Sequence, residues 1–423
     1  MTTGRDRLVA ACWPMPAKLN HRLFKTVIGL SCLVSFSAPG PAADVRWQHL
    51  SSKEGHLPSP GGSTQQTGLL VADLDRDGAM DVVISFRVTS PALVWMRRSG
   101  QQWTRQVIEP EFLTVEAGGA SFDIDADGDL DIVFGADAQN RQLWWWENPY
   151  PNFAGDVAWK RHTIKQDGAN QHHDQVFADF KGTGRPQLVF WNQQAKTLFL
   201  AEIPKDPRTV WPLDVVFSGQ AGEGIGDAAA YAEGVDAFDI DGDGRLDLLA
   251  GNDWFKYQDG TFRAVRIGTI GGRIKAGRFR AGTVPQVVIA PGDGSGPLKL
   301  YECQGDPLKP ESWSGRTLLD RDMVHGHTLD LGDVDGDGNL DIFAAEMAQW
   351  TRGPGPDHPS ARAWLLYGDG KGGFRTTVLV EGHGWHEGRL ADVDGDGDLD
   401  VVNKPYTWDA PRLDIWLNNG PGN

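Results

Sequence analysis

The chain has 423 residues, with 57 Asp and Glu against 40 Lys and Arg and a formal net charge of −17. This acid excess disfavours nucleic acids and anionic membrane surfaces as partners, and it suits bound cations. Hydrophobic residues make up 40% of the sequence, enough for a real core, while 53 glycines and 25 prolines predict many turns.

The first 43 residues have the order of a secretory signal. Basic Lys18, Arg22 and Lys25 precede the apolar run TVIGLSCLVSFSA and the small residues PGPAAD. We therefore predict that residues 1–43 are a signal peptide and that the protein is secreted or periplasmic. No later stretch approaches the ~18 apolar residues that span a bilayer, so stable membrane insertion is not expected. Cys303 is the only cysteine after this segment, so no intramolecular disulfide is expected.

A motif of alternating aspartates recurs along the rest of the chain. Five intact copies read DLDRDGAMD, DIDADGDLD, DIDGDGRLD, DVDGDGNLD and DVDGDGDLD, and they begin at residues 73, 123, 239, 333 and 392. Two eroded copies, DFKGTGRPQ and RFRAGTVPQ, begin at residues 179 and 278. Seven units at this spacing predict a solenoid or a propeller.

Each unit has the pattern of four short strands. An alternating stretch precedes the aspartates, a β-branched run such as DVVISF follows them, and then come an aromatic-rich strand such as LWWWENP and a fourth such as WTRQVIE. The last unit stops after its third strand, LDIWLNN, whereas VRWQHLS near the start resembles a fourth strand. Pairing these two segments would close a ring and remove both sheet edges. We predict that residues 44–423 form one all-β, seven-bladed β-propeller closed in this way.

These motifs resemble the FG-GAP/VCBS repeat family, which includes integrin-type propellers, over nearly all of the chain from about residue 44. The resemblance implies a propeller with calcium in the loop between the first two strands of a blade. In architecture, the chain is also similar to aldos-2-ulose dehydratase and to propeller polysaccharide lyases.

The side chains at positions 1, 3, 5 and 9 of DxDxDGxxD can converge on one hard cation, and the glycine permits a sharp turn. An EF-hand is rejected because its position-12 Glu and flanking helices are missing, and metal-free acidic turns would crowd four carboxylates together. We therefore expect five structural calcium ions and no metal in the two eroded loops. The predicted ligands are Asp73, Asp75, Asp77, Asp81, Asp123, Asp125, Asp127, Asp131, Asp239, Asp241, Asp243, Asp247, Asp333, Asp335, Asp337, Asp341, Asp392, Asp394, Asp396 and Asp400.

A second set of polar residues recurs six positions before each first aspartate position. In a propeller, the strand that begins there is the innermost, so these residues should surround the axis on the face opposite the calcium loops. The set is Thr67, Ala117, His173, Glu233, Gly272, His327 and His386, with His172, His325, His383, Glu387 and Glu116 nearby. Imidazoles with a carboxylate suit zinc or a similar transition metal, or acid–base chemistry. The alternative is that these histidines only satisfy backbone groups at strand starts.

Loops expected on the same face contain aromatic and polar residues that suit a sugar ring. The predicted substrate contacts are Arg87, Asn192, Trp350, Lys404 and Trp408. Most of the 17 tryptophans are nevertheless expected to pack between blades.

We therefore predict a carbohydrate-binding propeller that acts as a lyase or dehydratase by β-elimination. A metal or an Arg would polarise a carbonyl, and a His or Tyr would take the adjacent proton. The predicted catalytic residues are His173, His327, His386, Glu233 and Tyr406. The alternative is a non-catalytic module for carbohydrate or protein binding or for adhesion, which does not require the ring of histidines.

Overall fold

Strands account for nearly all of the regular structure in the computed structural model, which describes residues 45–153, 159–219, 232–282, 284–348, 358–407 and 409–421. These residues include one short 3-10 turn, Pro310–Ser312, and no described helix has the length and hydropathy needed to cross a bilayer. The predicted signal peptide, residues 1–43, lies outside this part of the chain. Seven four-stranded antiparallel sheets confirm the predicted all-β, seven-bladed propeller.

Blades 1 to 4 each use four consecutive strands, ordered from the axis outwards, and β1 (Val45–Ser51) precedes them. Blade 1 contains β2 (Gln66–Ala72), β3 (Asp81–Phe86), β4 (Leu93–Ser99) and β5 (Gln102–Glu109). Blade 2 contains β6 (Ala120–Phe122), β7 (Asp131–Gly135), β8 (Leu143–Glu147) and β9 (Lys160–Lys165). Blade 3 contains β10 (His172–Ala178), β11 (Gln187–Asn192), β12 (Thr197–Glu202) and β13 (Leu213–Ser218). Blade 4 contains β14 (Val235–Phe238), β15 (Asp247–Ala250), β16 (Asp253–Gln258) and β17 (Thr261–Arg266).

Blades 5 to 7 depart from this simple order. Blade 5 contains β18 (Ile274–Gly277), β19 (Gln286–Ile289), β21 (Lys299–Cys303) and β22 (Trp313–Thr317), whereas β20 (Gly292–Gly296) and β23 (Met323–Gly326) form a separate two-stranded ribbon. Blade 6 contains β24 (Thr328–Gly332), β25 (Asp341–Ala345), β26 (Arg362–Gly368) and β27 (Phe374–Glu381). Blade 7 contains β28 (Arg389–Ala391), β29 (Asp400–Asn403), β30 (Asp414–Pro421) and, outermost, β1.

The hydrophobic core consists of layers between neighbouring blades. Second strands such as DVVISF in β3 are buried along their whole length, because both of their faces meet another blade. Outermost strands such as β13 and β27 contain only exposed and half-buried residues, because one face meets water. Between blades 1 and 2, for example, Trp95 packs in one cluster with Phe134 and Trp146. Each blade is therefore stabilised mainly by its two neighbours.

The ring closes through the N-terminal strand. β1 pairs antiparallel with β30, with Trp47 opposite Asn418 and Leu50 opposite Ile415. Side chains of blades 1 and 7 share one apolar cluster, and the innermost strand of each blade contacts that of the next, including β28 with β2. The predicted closure is confirmed, and it brings the starts of seven inner strands to one axis.

Deleting residues 44–52 should destabilise the entire propeller. The deletion exposes the edge of β30 and removes the buried Val45, so we expect a loss of more than about 3 kcal/mol of unfolding free energy. Chemical denaturation of residues 53–423 beside residues 44–423 measures this loss. Gln48→Ala, at an exposed position of the same strand, is the control and should change little. Equal stability of the two chains would contradict a role for β1 in closure.

Candidate functional site

Three of the predicted axial residues, His173, His327 and His386, line a cavity of about 710 Å³ on the face opposite the aspartate loops. All three lie near the start of an inner strand, since His173 is the second residue of β10, His327 directly precedes β24 and His386 lies three residues before β28. Segments that precede inner strands and loops that follow second strands supply the rest of the wall. The lining residues are Arg87, Glu116, Asp137, Ala138, Gln139, Gln171, His173, Gln193, Asp293, His325, His327, His386 and Tyr406.

Three of these axial residues form a cluster with the geometry of a metal site. One ligand atom from each of His173, Glu233 and His327 lies within 4.8 Å of the others, and all three residues are buried. Glu233 Oε2 and His327 Nδ1 are 3.8 Å apart, and neither has a hydrogen-bond partner. Two imidazoles and a carboxylate are a donor set for zinc, and the unpartnered atoms are those that such an ion would contact. The residues present therefore fit a divalent transition metal.

Carboxylates hold the two imidazoles of this cluster in place. His173 Nδ1 lies 2.9 Å from Asp174 Oδ2, and His327 Nε2 lies 2.5 Å from Asp293 Oδ1. The Asp293 backbone N–H in turn donates to Glu233 Oε1 at 2.8 Å. Such contacts on the second ring nitrogen leave the first nitrogen of each histidine oriented towards a ligand.

Beneath the cluster, Arg273 joins acidic residues from three other blades. Its Nη1 donates to Asp174, its Nη2 donates to Glu387 at 3.1 Å, and its Nε lies 3.6 Å from Glu233 Oε2. Burial alone would raise the pKa of Asp174, but Arg273 and then His173 outweigh it and hold that pKa well below its usual range. Burial also opposes protonation of His173, yet the Asp174 carboxylate prevails and raises the pKa of His173 to about 9. A buried cation therefore compensates carboxylates that would otherwise be unpaired.

His386 has a different environment from the other two axial histidines. Its ring stacks on His327 at 4.7 Å, and its Nδ1 lies 2.8 Å from Lys404 Nζ. Lys404 is fully buried and donates to the carbonyls of Gln66, at 3.0 Å, and Thr67. Burial, and then Lys404, hold the pKa of His386 well below its usual range, so its imidazole is neutral.

The opposite wall is built around Arg87. Its Nη1 donates to the Tyr406 hydroxyl at 2.8 Å, its Nη2 donates to Glu116, and its Nε lies 3.1 Å from Asp137 Oδ2. Burial, and then the neighbouring Glu116 carboxylate, raise the pKa of Asp137 to about 7. Tyr406 also lies close to His386, with a ring separation of 5.2 Å, and thus joins this wall to the histidines.

Not every sequence-predicted residue reaches the cavity. Lys404 lies beneath His386, and Asn192 is buried within blade 3, where its amide donates to Ala169 O at 2.9 Å. His172 packs on Phe190 inside the same blade. Trp350 and Trp408 lie outside the described residues. His383 packs beside Trp416 near β1, away from the axial cluster.

Sequence reasoning missed Asp174, Arg273 and Asp293. Strict alternation along β10 would point Asp174 away from His173, but a bulge there, with φ of 45° at Asp174, turns both side chains to the axis. Asp293 comes from the β20–β23 ribbon, which has no equivalent in the described residues of the other blades. Arg273 follows Gly272, and the six-residue offset selects only the glycine. The adjacent polar residues His173 and Asp174 were the one available signal.

The five intact aspartate loops share one geometry. The ninth-position Asp is buried and accepts the backbone N–H of position 2, as Asp341 does from Val334 at 2.8 Å. Burial raises the pKa of Asp131 to about 8 and that of Asp341 to about 7. In four loops the same third-position atom is buried without a hydrogen-bond partner, namely Oδ1 of Asp125, Asp241, Asp335 and Asp394. Converging carboxylates with an unpartnered oxygen in the same place fit a calcium ion.

The two eroded loops make the same backbone contact without the charge. Gln187 Oε1 accepts from Lys181 N at 3.2 Å, and Gln286 Oε1 accepts from Phe279 N at 3.0 Å. A neutral amide thus takes the place of the ninth-position carboxylate. These loops therefore keep this backbone contact without a ninth-position carboxylate.

Comparison with known proteins gives one family match. A model described as the FG-GAP-like repeat matches residues 333–402, which include the loops beginning at Asp333 and Asp392. No curated protein sequence shows significant similarity to the chain.

Several solved structures are similar in fold at low identity. One is the rhamnogalacturonan lyase YesW, with 14% identity, 86% of this chain and 75% of that chain covered, and a TM-score of 0.45. A second is a rhamnogalacturonan lyase of Bacillus licheniformis, with 14% identity, coverage of 84% and 72%, and a TM-score of 0.45. A third is the V. cholerae biofilm matrix protein Bap1, with 9% identity, coverage of 86% and 89%, and a TM-score of 0.48. Within its seven blades, the chain carries an FG-GAP-like repeat at residues 333–402.

Proposed function

We propose that the axial cavity is an enzyme site that acts on a carbohydrate by β-elimination, as a lyase or a dehydratase, in a secreted or periplasmic protein. The observation that carries the proposal is the buried cluster of His173, Glu233 and His327, with its two unpartnered ligand atoms. These residues would hold a divalent transition metal such as zinc. When bound, such an ion supplies Lewis-acid polarisation of a substrate oxygen. A purely adhesive module has no need of this cluster.

The residues beside the cluster suit proton transfer. β-Elimination moves a proton from the carbon next to a carbonyl to a base, forms a C=C bond and releases an oxygen leaving group that takes up a proton. His386 and Tyr406 stand 5.2 Å apart, ring to ring, and both line the cavity. One of them can accept the proton from carbon while the other donates to the leaving oxygen. Arg87, which contacts the Tyr406 hydroxyl, orients that group.

The remainder of the wall favours a polyhydroxylated ligand. Gln139, Gln171 and Gln193 line the cavity, and Gln193 Oε1 is buried without a hydrogen-bond partner. Side-chain amides offer both donors and acceptors, as sugar hydroxyls do. A cavity of about 710 Å³ has the size of a small-molecule site.

Replacing His173 or His327 by Ala should abolish metal binding and catalysis with little effect on folding. Each substitution removes one of three proposed ligands, and residues of such sites are seldom needed for stability. The wild-type protein, treated with a calcium-selective chelator, should retain about one equivalent of a transition metal by elemental analysis. Each variant should lose this metal, together with turnover of a carbohydrate substrate found by screening. Its thermal midpoint in calcium should shift by no more than about 2 °C.

His358→Ala is the control, because His358 bonds within its own loop at Ser360 and does not line the cavity. Metal retention by both site variants, or full activity of both, would contradict the proposed site. Unfolding of both would assign these histidines a structural role.

We further propose that the five intact loops each bind one calcium ion that stabilises the fold. Support comes from the four unpartnered Oδ1 atoms and from the buried ninth-position carboxylates. A cation that binds only the native state stabilises it in proportion to its affinity and concentration.

Asp341→Asn should have opposite effects with and without calcium. The amide oxygen can keep one of the two backbone contacts that the carboxylate accepts, from Val334 N and from Gly368 N, each at 2.8 Å. Because a charged ligand is also removed, with calcium we expect a loss of about 1–3 kcal/mol. Burial raises the pKa of Asp341 to about 7, so the calcium-free folded state loses stability as the pH rises towards 7 and the unfolded chain binds fewer protons than the folded one. At pH 8 Asp341 is ionised in both states, and the whole destabilising effect of its buried charge is present. In EGTA at pH 8 the variant should therefore melt above the wild type.

Thermal unfolding of both proteins in calcium and in EGTA gives all four midpoints. Thr183→Ala, in an eroded loop, is the control and should change the free energy by no more than about 0.5 kcal/mol in either condition. A wild-type midpoint that EGTA leaves unchanged would contradict structural calcium.

A further inference from the structure

Among the residues that the structure describes, three buried cationic side chains lie at or beneath the cavity, namely Arg87, Arg273 and Lys404. Each of them already contacts other groups of the protein. The two Nη atoms of Arg87 donate to the Tyr406 hydroxyl and to Glu116, and its Nε, which makes no hydrogen bond, forms an ion pair with Asp137 Oδ2 at 3.1 Å. Arg87 is also largely shielded, with 15% of its side chain exposed. A carboxylate entering the cavity could therefore reach this guanidinium only by displacing a protein carboxylate.

The other two cationic side chains, Arg273 and Lys404, are even less accessible to a ligand in the cavity. Arg273 lies below the metal-ligand cluster, in contact with Asp174 and Glu387. Lys404 is fully buried and directs its amine at two backbone carbonyls and at His386. Neither residue is among those that line the cavity.

Carboxylates outnumber these cations around the cavity. Six acidic residues line it or lie directly beneath it, against the three cations, and they are Glu116, Asp137, Asp174, Glu233, Asp293 and Glu387. Arg389, whose Nη2 lies 4.0 Å from Glu387 Oε1, and the two positive charges of the proposed metal ion would bring these six carboxylates to balance, with no cation left over for an anionic ligand. A further negative charge would be buried in this site without a free partner, which is costly.

We propose that the substrate of this site is an uncharged, polyhydroxylated sugar and that uronic acids and other anionic sugars are rejected. This inference rests on the proposed carbohydrate function and narrows its substrate class. Recognition is by the neutral amides of Gln139, Gln171 and Gln193 and by the Tyr406 hydroxyl. Rejection follows from the acidic wall formed by Glu116, Asp137 and Asp293, since specificity is set as much by repulsion of the wrong ligand as by attraction of the right one.

Matched sugars that differ only in charge test the inference. The probes are the methyl glycosides of glucose and galactose, the corresponding glucuronates and galacturonates, and the methyl esters of these uronates, which restore neutrality at nearly the same size. Binding to the full-length metal-loaded protein is measured at pH 7.5 by titration calorimetry or by ligand-observed NMR. We expect the esters and the neutral glycosides of at least one series to bind at least about 100-fold more tightly than the uronate.

A variant in which Arg87 loses its two carboxylate partners tests the same inference by changing the protein instead of the ligand. Glu116→Gln combined with Asp137→Asn removes both carboxylates from the guanidinium, so the preference for the ester over the uronate should fall at least about tenfold. Asp137→Asn alone is the milder variant if the double variant unfolds, and it should shift the preference in the same direction. Glu202→Gln, at an exposed site that contacts Lys181, should leave the preference unchanged.

Three results would contradict the inference or the proposed function. Wild-type binding of a uronate as tightly as its ester would overturn the inference while leaving the proposed function intact. An unchanged preference in both cavity variants would also overturn it, because the acidic wall would then not be its source. Binding of neither neutral nor charged sugars would overturn the proposed carbohydrate function, and this inference with it.

Discussion

Closure of the ring is the constraint on which the rest of the structure depends. Each blade has two buried faces, and only a neighbouring blade on each side can cover them. The antiparallel pairing of β1 with β30 completes the last blade, whose apolar face then packs against blade 1. The axial cavity exists only in this closed form, because its lining residues come from blades 1 to 3 and 5 to 7.

The interior of the ring concentrates charge that a single sheet could not bury. Arg273 bonds Asp174 and Glu387, and it also faces Glu233, so four blades contribute to one network. A buried ion pair adds little net stability, but removing one member leaves an uncompensated charge. The network therefore fixes the relative positions of the axial groups and supports the cluster of His173, Glu233 and His327. The same balance of charge is the basis for expecting an uncharged ligand.

The carboxylates of the outer aspartate loops and those at the axis differ in how their buried charge is compensated. At the axis, Arg87 and Arg273 pair with most of the carboxylates, whereas in four loops Oδ1 of the third-position Asp has no hydrogen-bond partner among the described residues. Blades 3 and 5 have no buried carboxylate at the ninth position, because the neutral amides of Gln187 and Gln286 make the same backbone contact there. Variation between blades thus follows a simple rule. A loop either keeps its full set of acidic ligands or loses the charge of the ninth position as well.

The sequence by itself determined the number of blades, the closing strand and the level of the axial histidines. These features follow from local periodicity, because a repeat of fixed strand order places equivalent positions such as His327 and His386 at equivalent heights. Only the tertiary structure decided which residues complete the site. A backbone bulge turns Asp174 towards His173, a separate ribbon delivers Asp293, and burial removes Asn192 from the cavity. Side-chain direction at a bulge and contacts between distant blades depend on packing, which no period along the chain records.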